Sequence, residues 1–299
     1  MLSVAVQGGA MRSIYALGAI RGMVELGIHS KVGSVHSSSA GCVAGAVLAG
    51  QARADDAPDI TDLVRTFLDD LSGRNFIDSR RLKKVVDVDL LVSVIREQTG
   101  LSLAGLAEHH LTFEVAVTNA VTAQAEYFDL GQCASDTELF EVLRATMAIP
   151  VLYHRRVRLR SRTYVDGGIS DPLPLLRALS RGPSAVIAVS TVGAGTLGHH
   201  LSGKEAMIVR AAPGISPPVR GLMLAYNPLA RVSEQIMVQG SFGSIPIHRV
   251  TPSDPDILTS RTETDRRMLL RAEELGYADA LAVLGDLDLE TVTATAEAG

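Results

Sequence analysis

The chain has 299 residues, of which 46% are hydrophobic and 20% charged, with 27 glycines and a formal net charge of −5. This is an ordinary globular composition with enough chain for one large core. A net negative chain has no broad basic field for phosphates, so nucleic acid is not an expected partner, and two cysteines, Cys42 and Cys133, cannot build a disulfide framework.

Met1 runs directly into Leu2-Ser3-Val4-Ala5-Val6 without a basic leader or a cleavage site. The longest apolar stretch, Ala40 to Gly50, is short and glycine-rich for a bilayer span. The expectation is a cytoplasmic protein in a reducing compartment, with a peripheral visit to a membrane left open.

Residues 3 to 7 read as a strand buried on both faces, as in a parallel sheet. Gly8-Gly9-Ala10-Met11-Arg12-Ser13 follows, then a helical pattern from Ile14 to Leu26 that Gly27 ends. A glycine-rich loop at a helix N-terminus offers free backbone N–H groups to a phosphate or to the oxyanion of an acyl-transfer intermediate. The loop lacks both the third glycine of a dinucleotide fingerprint and the lysine of a P-loop, so its spacing disfavours the phosphate reading.

A second strand-turn-helix unit carries Ser37-Ser38-Ser39-Ala40-Gly41. This is a Gly-x-Ser-x-Gly elbow with serine in the first position, and it would expose the Ser39 hydroxyl in front of a helix N-terminus. Amide donors and an exposed serine would then lie at one sheet edge.

Residues 59 to 71 read as an amphipathic surface helix, and a helix is expected at 89 to 98. Two strands at 112 to 118 and 125 to 130 precede a helix from about Asp136 that must end before Pro150. His154, Arg156, Arg158, Arg160 and Arg162 fall at even positions of an apparently extended run from Val151 to Val165. That stripe reads either as a solvated strand face or as a contact for anionic headgroups.

Asp166-Gly167-Gly168 sets a carboxylate on a tight turn, either as a base for Ser39 or as a stop before a helix near Pro172. Ala185 to Thr191 reads as a buried strand, residues 193 to 218 as a Gly/Pro-rich loop suited to a lid over an acyl pocket, and residues 219 to 240 and 264 to 284 as helices. A single domain over residues 1 to 284 is expected, with a weakly ordered tail from 285 to 299.

Taken together, these motifs resemble the patatin-like phospholipases, a family of serine lipid acyl hydrolases. The family's Gly-Gly-Gly-x-Arg-Gly loop is met by Gly8 to Ser13, its elbow by Ser37 to Gly41 and its Asp-Gly-Gly motif by Asp166 to Gly168. Arg144 to Pro150 and Gly276 to Ala280 are also similar to family segments, so the resemblance covers roughly residues 2 to 284.

The resemblance implies an α/β fold with a mostly parallel central sheet sandwiched by helices. It implies Ser39 as nucleophile, Asp166 as its base, and Gly8, Gly9 and Ala10 as the oxyanion hole. Arg12, Gly41, Gly167 and Gly168 would have supporting roles, with no metal and no cofactor. The expected substrate is a phospholipid or other acyl ester, and the oligomeric state is open.

The chain departs from the family at Ala10, Ser13 and Ser37. Acyl transfer on the same dyad, or a non-catalytic acyl-binding relative, are therefore the alternatives. A positive φ at Ala10 would cost about 1 kcal/mol or more. His248 follows Asp166 and would complete the chain order of a Ser-Asp-His triad, although a strand role is preferred for it.

Overall fold

The computed structural model describes residues 1–51, 59–78, 80–81, 85–153, 155–193, 196–197, 201–257 and 260–287. Strand β1 (Leu2–Val6) leads through the glycine loop into α1 (Ser13–Glu25), and β2 (Val32–Ser38) leads through the serine turn into α2 (Gly41–Gln51). Helices α3 (Ile60–Leu71), α4 (Val88–Gln98) and α5 (Leu103–Glu108) precede β3 (Thr112–Asn119), β4 (Ala125–Asp129) and α6 (Asp136–Thr146). Then come β5 (Val157–Leu159), β6 (Arg162–Val165), α7 (Leu175–Leu179), β7 (Ala185–Val189), α8 (Gly203–Ala211), α9 (Pro217–Leu224) and α10 (Pro228–Gln239). The described chain closes with β8 (Ser241–Phe242), β9 (Ile245–Val250) and α11 (Arg266–Leu284).

The sheet order is β5-β6-β3-β2-β1-β7-β9-β8, with β4 also on β3. From β3 to β9 the neighbours run parallel, so the chain leaves β1, β2, β3 and β7 at one common edge. Side chains alternate across the sheet. Leu2, Val4, Val6, Ile187 and Val189 join the larger core under α1, α2, α3, α4, α6 and α11, whereas Ala5, Val186, Ala188 and Ile247 meet α7 and α10 on the other face. This is the α/β architecture expected, a mostly parallel sheet between helices. Among the described residues no helix is long and apolar enough to cross a membrane.

Helices α1 and α11 approach backbone to backbone. A Cβ on Gly18 would collide with the Glu273 carbonyl, and one on Gly276 with the Tyr15 carbonyl. Polar pairs flank the contact: the Tyr15 hydroxyl donates to Asp279 Oδ2 at 2.8 Å, and Arg21 donates to both Glu273 oxygens at 2.7 and 3.1 Å.

Several expectations are corrected. The basic stripe is not one extended run, because Arg160 and Ser161 both take left-handed φ angles, 45° and 70°, and turn the chain into the β5–β6 hairpin. Arg-Ser lacks the Asn-Gly or Asp-Gly chemistry that announces such a turn. Arg160 and Arg162 then pair with Glu138 and Glu126, Arg156 bonds the Gly214 carbonyl at 3.4 Å, and His154 lies outside the described residues.

The stretch from 193 to 218 contains α8 rather than being all loop, since Ser202 and Glu205 form a reciprocal capping box that starts a helix. His199 and His200 of that stretch lie outside the described residues. The single helix expected at 219 to 240 is divided into α9 and α10, where Asn227 caps the second and Pro228, with no N–H to give, can only begin it. The helix placed near Pro172 begins at Leu175. Residues 288 to 299 of the proposed tail lie outside the described residues.

Candidate active site

Strand β3 brings the site together. Its Ala116 pairs with Ser38 at the end of β2. Two residues on, Thr118 pairs with Ala125 of β4 on one side and so must take Val165 of β6 on the side that β2 has just vacated. The residues that follow each strand end, Ser39 and Asp166, therefore meet above the same stretch of β3. The Ser39 hydroxyl donates to Asp166 Oδ2 at 2.7 Å, and both residues are buried.

Ser39 has φ 52°, a left-handed angle that strains a residue other than glycine, on a sharp turn from strand to helix. The Thr146 hydroxyl holds this backbone: its oxygen accepts the Ser39 N–H at 2.8 Å and it donates to the Ala116 carbonyl at 2.6 Å. Gly41 leaves room where a Cβ would lie 2.5 Å from the Gln7 carbonyl oxygen. Ser37, the departure from the family elbow, sits in the regular ladder opposite Val6 and Val115 and does not crowd the turn.

Asp166 is fixed at both ends. Its Oδ1 accepts the Gly168 N–H at 2.8 Å, its N–H donates to the Ala148 carbonyl at 3.0 Å, and its own carbonyl accepts the Thr118 hydroxyl at 2.7 Å. Gly167 is required there because a Cβ would strike the Ala116 carbonyl. Burial pushes the Asp166 carboxyl up to about 7, against the opposing pull of the Ser39 and Gly168 hydrogen bonds and the charge of Arg261.

The glycine loop lies beside Ser39. A Cβ on Gly8 would stand 2.6 Å from the Ser39 Cβ, and one on Gly9 would stand 2.5 Å from the Thr191 hydroxyl. The Gly8 N–H donates to the Pro172 carbonyl at 3.1 Å, so that amide is already committed and Gly8 leaves the expected oxyanion set. The N–H groups of Gly9 and Ala10 have no partner among the described residues. Thr191 and Ser190 hold the loop through the Gly8 carbonyl and the Gln7 side chain, at 2.6 to 2.9 Å.

Ala10 has φ 52°, the strained case, where the family glycine would rest without penalty. Ala10→Gly is expected to raise stability by about 0.5–1 kcal/mol, read as a urea midpoint; a lower midpoint would refute the strain.

These groups open onto a cleft of about 250 Å³. Arg12 and Arg261 stand at its polar side, and Ile149, Ile169, Val192, Leu201, Leu222 and Met223 supply apolar wall. Burial, then the neighbouring Arg261, holds the Arg12 guanidinium below its usual range. His248 is absent from the lining. It pairs with Ile187 in mid-strand on β9, three strands from β2, with its pKa lowered by burial.

The cleft holds a hydroxyl bonded to a buried carboxylate, beside two amides without a partner among the described residues and a partly apolar wall. Thr146, Thr191 and Arg261 belong to no functional motif that the sequence displays. Thr146 lay within a segment singled out for resemblance alone, and Arg261 reaches the site only through the fold.

Residues 4–179 match the model of the family described as Patatin-like phospholipase, a span holding the glycine loop, Ser39 and Asp166. A curated relative, the uncharacterized protein YjjU of Escherichia coli (strain K12), is 29% identical over 125 residues, which are 40% of this chain and 34% of that protein. The chain thus spans about a third of the length of that relative. The crystal structure of VipD from Legionella pneumophila aligns with a TM-score of 0.46 and 14% identity, over 95% of this chain and 66% of that one.

Proposed function

The chain belongs to the patatin-like phospholipase family, and we propose that it hydrolyses carboxylic esters of lipids with Ser39 as nucleophile and Asp166 as base. The observation that carries the reading is the 2.7 Å hydrogen bond from Ser39 Oγ to Asp166 Oδ2, set beside the two unpartnered amides of Gly9 and Ala10.

In this reading Ser39 Oγ attacks the ester carbonyl as its proton passes to Asp166. The developing oxyanion takes the amides of Gly9 and Ala10, which already point at no other acceptor among the described residues. The tetrahedral species collapses as the protonated Asp166 returns its proton to the leaving alkoxide. Water, deprotonated by the same carboxylate, then attacks the acyl-Ser39 ester, and the fatty acid leaves as Asp166 returns that proton to Ser39 Oγ. The apolar wall accommodates the acyl chain and Arg12 with Arg261 faces the more polar part of the substrate.

Fluorophosphonate labelling followed by intact mass tests the reading, run beside p-nitrophenyl ester turnover. Wild type is expected to gain one adduct and Ser39→Ala none; an adduct that survives in Ser39→Ala would sink it. A base held near 7 also predicts a pH profile. Turnover per encounter should rise about ten-fold per pH unit on the acid side and level off above about pH 7. A limb that levels off at the pH of an ordinary carboxylate would show that burial does not raise the Asp166 carboxyl in the working enzyme.

A further inference from the structure

We propose that the outward face of α8 is an interfacial surface that seats the protein on anionic lipid and sets the mouth of the Ser39 cleft against it. This rests on the acyl-ester reading above only for what the surface is used for, not for its existence.

Helix α8 spans nine residues, and Val209 is its one buried side chain. Positions i, i+3, i+4 and i+7 share a helix face. Here those positions are Lys204, Met207, Ile208 and Ala211, with Arg210 on the next row. Met207 is 65% exposed and Ile208 53%, so two large apolar groups stand in water side by side. Lys204 and Arg210 border them, and neither makes an ion pair among the described residues.

The acidic residue of the helix, Glu205, is exposed on the row beyond Ile208, but its carboxylate is engaged at the start of the helix. Glu205 accepts the Ser202 N–H at 2.8 Å within the capping box, and its charge acts on Arg261 and Arg12 at the cleft. The outer face therefore centres on two apolar side chains with two cations at its edges, against one carboxylate that is already engaged in the cap. A short helix with that pattern suits shallow insertion at a negatively charged headgroup layer, where the lysine and arginine meet phosphate and the methionine and isoleucine reach the acyl boundary.

Its position is the second argument. Leu201, just before the Ser202 cap, lines the cleft, and so do Leu222 and Met223 of α9, which packs on α8. Helix α8 is thus flanked by two parts of the cleft wall, Leu201 at its start and α9 packed against it. A lipid surface held against α8 would lie beside Leu201 and α9, which supply part of the apolar wall of the Ser39 cleft.

The test is flotation of the full-length protein with phosphatidylcholine vesicles, with and without phosphatidylserine. Wild type should float with the phosphatidylserine vesicles and be released by salt. Met207→Ser with Ile208→Ser should cut binding about ten-fold, and Lys204→Gln with Arg210→Gln should cut it by roughly the same factor at low salt. Val238 and Phe242 are 67% and 48% exposed but belong to α10 and β8, so serine at both should leave binding unchanged. Turnover of a soluble short-chain p-nitrophenyl ester should match wild type in all of these variants.

Wild type that fails to float, equal binding to both vesicle types, or α8 variants that bind like wild type would each overturn the surface. Flotation lost in the α8 variants of a protein that turns over no ester would keep the surface and remove the hydrolase reading. Ester turnover without flotation would do the reverse.

Discussion

Replacing Asp166 by Asn is expected to cut ester turnover by about 10²–10⁴-fold and, above about pH 7, to make the protein harder to unfold. Asn keeps the geometry: one amide atom can accept the Gly168 N–H and the other can donate to Ser39 Oγ. What it removes is the charge. The folded protein holds the Asp166 carboxyl near 7 by burial, whereas the unfolded chain ionises it near its ordinary value of about 4.

Between those values the folded state keeps a proton that the unfolded state has released, so raising the pH drains stability. Below the unfolded value the two states bind the proton alike and the loss is nil. Above the folded value it is complete, on the order of a few kcal/mol at about 1.4 kcal/mol per unit. Asp166→Asn escapes this loss. Urea unfolding of both proteins at pH 4 and pH 8 checks it, and the same stability difference at both pH values would refute the coupling. If turnover and stability move apart in this way, Asp166 is a concrete form of the trade between stability and activity.

Gly276→Ala is expected to destabilise the protein by about 2–3 kcal/mol, although it lies outside the family-matched residues and outside the cleft. The new methyl group would enter the Tyr15 carbonyl on α1. Relief requires the helices to move apart, which loosens the Tyr15 to Asp279 and Arg21 to Glu273 bonds on either side. Helix α1 begins at Ser13, directly after the glycine loop, so the shift should also slow fluorophosphonate labelling of Ser39. Thermal unfolding by circular dichroism, read beside the labelling rate, measures both; a midpoint within a degree of wild type would show that the contact yields without cost.

Much of the fold was legible because local signals agreed. The apolar run of β1, the glycine loop and the serine turn each announced a strand-turn-helix unit, and the Asp166-Gly167-Gly168 turn lies where its motif placed it. The hairpin at Arg160-Ser161 was hidden because its left-handed residues are not the usual turn formers. Helix α8 was hidden by the glycines and prolines around it, although the Ser202 and Glu205 spacing was in plain view. Ser39 and Asp166 were legible as motifs, but the loss of Gly8 from the amide donors was not, since the Pro172 carbonyl that takes its N–H arrives from far along the chain. Arg261 carries no local pattern, and Thr146 belongs to a segment with resemblance but no motif of its own; only tertiary packing brings one to the cleft and the other to the Ser39 turn.

The shared seating of β2 and β6 on one side of β3 also bears on how this protein tolerates change. The gap between Ser39 and Asp166 is set by two steps of a hydrogen-bond ladder, Ala116 to Thr118, and not by the long connection between them. Insertions in the loops that join α3, α4 and α5, rather than within these core-packed helices, would lengthen that connection at little entropic cost and leave the ladder unaltered. So would a nick in the exposed turn before β4, where Val121 and Thr122 separate a fragment bearing the hydroxyl from one bearing the carboxylate. The protein is in this sense already two interlocking pieces, joined along β3 as a zipper is joined by its teeth.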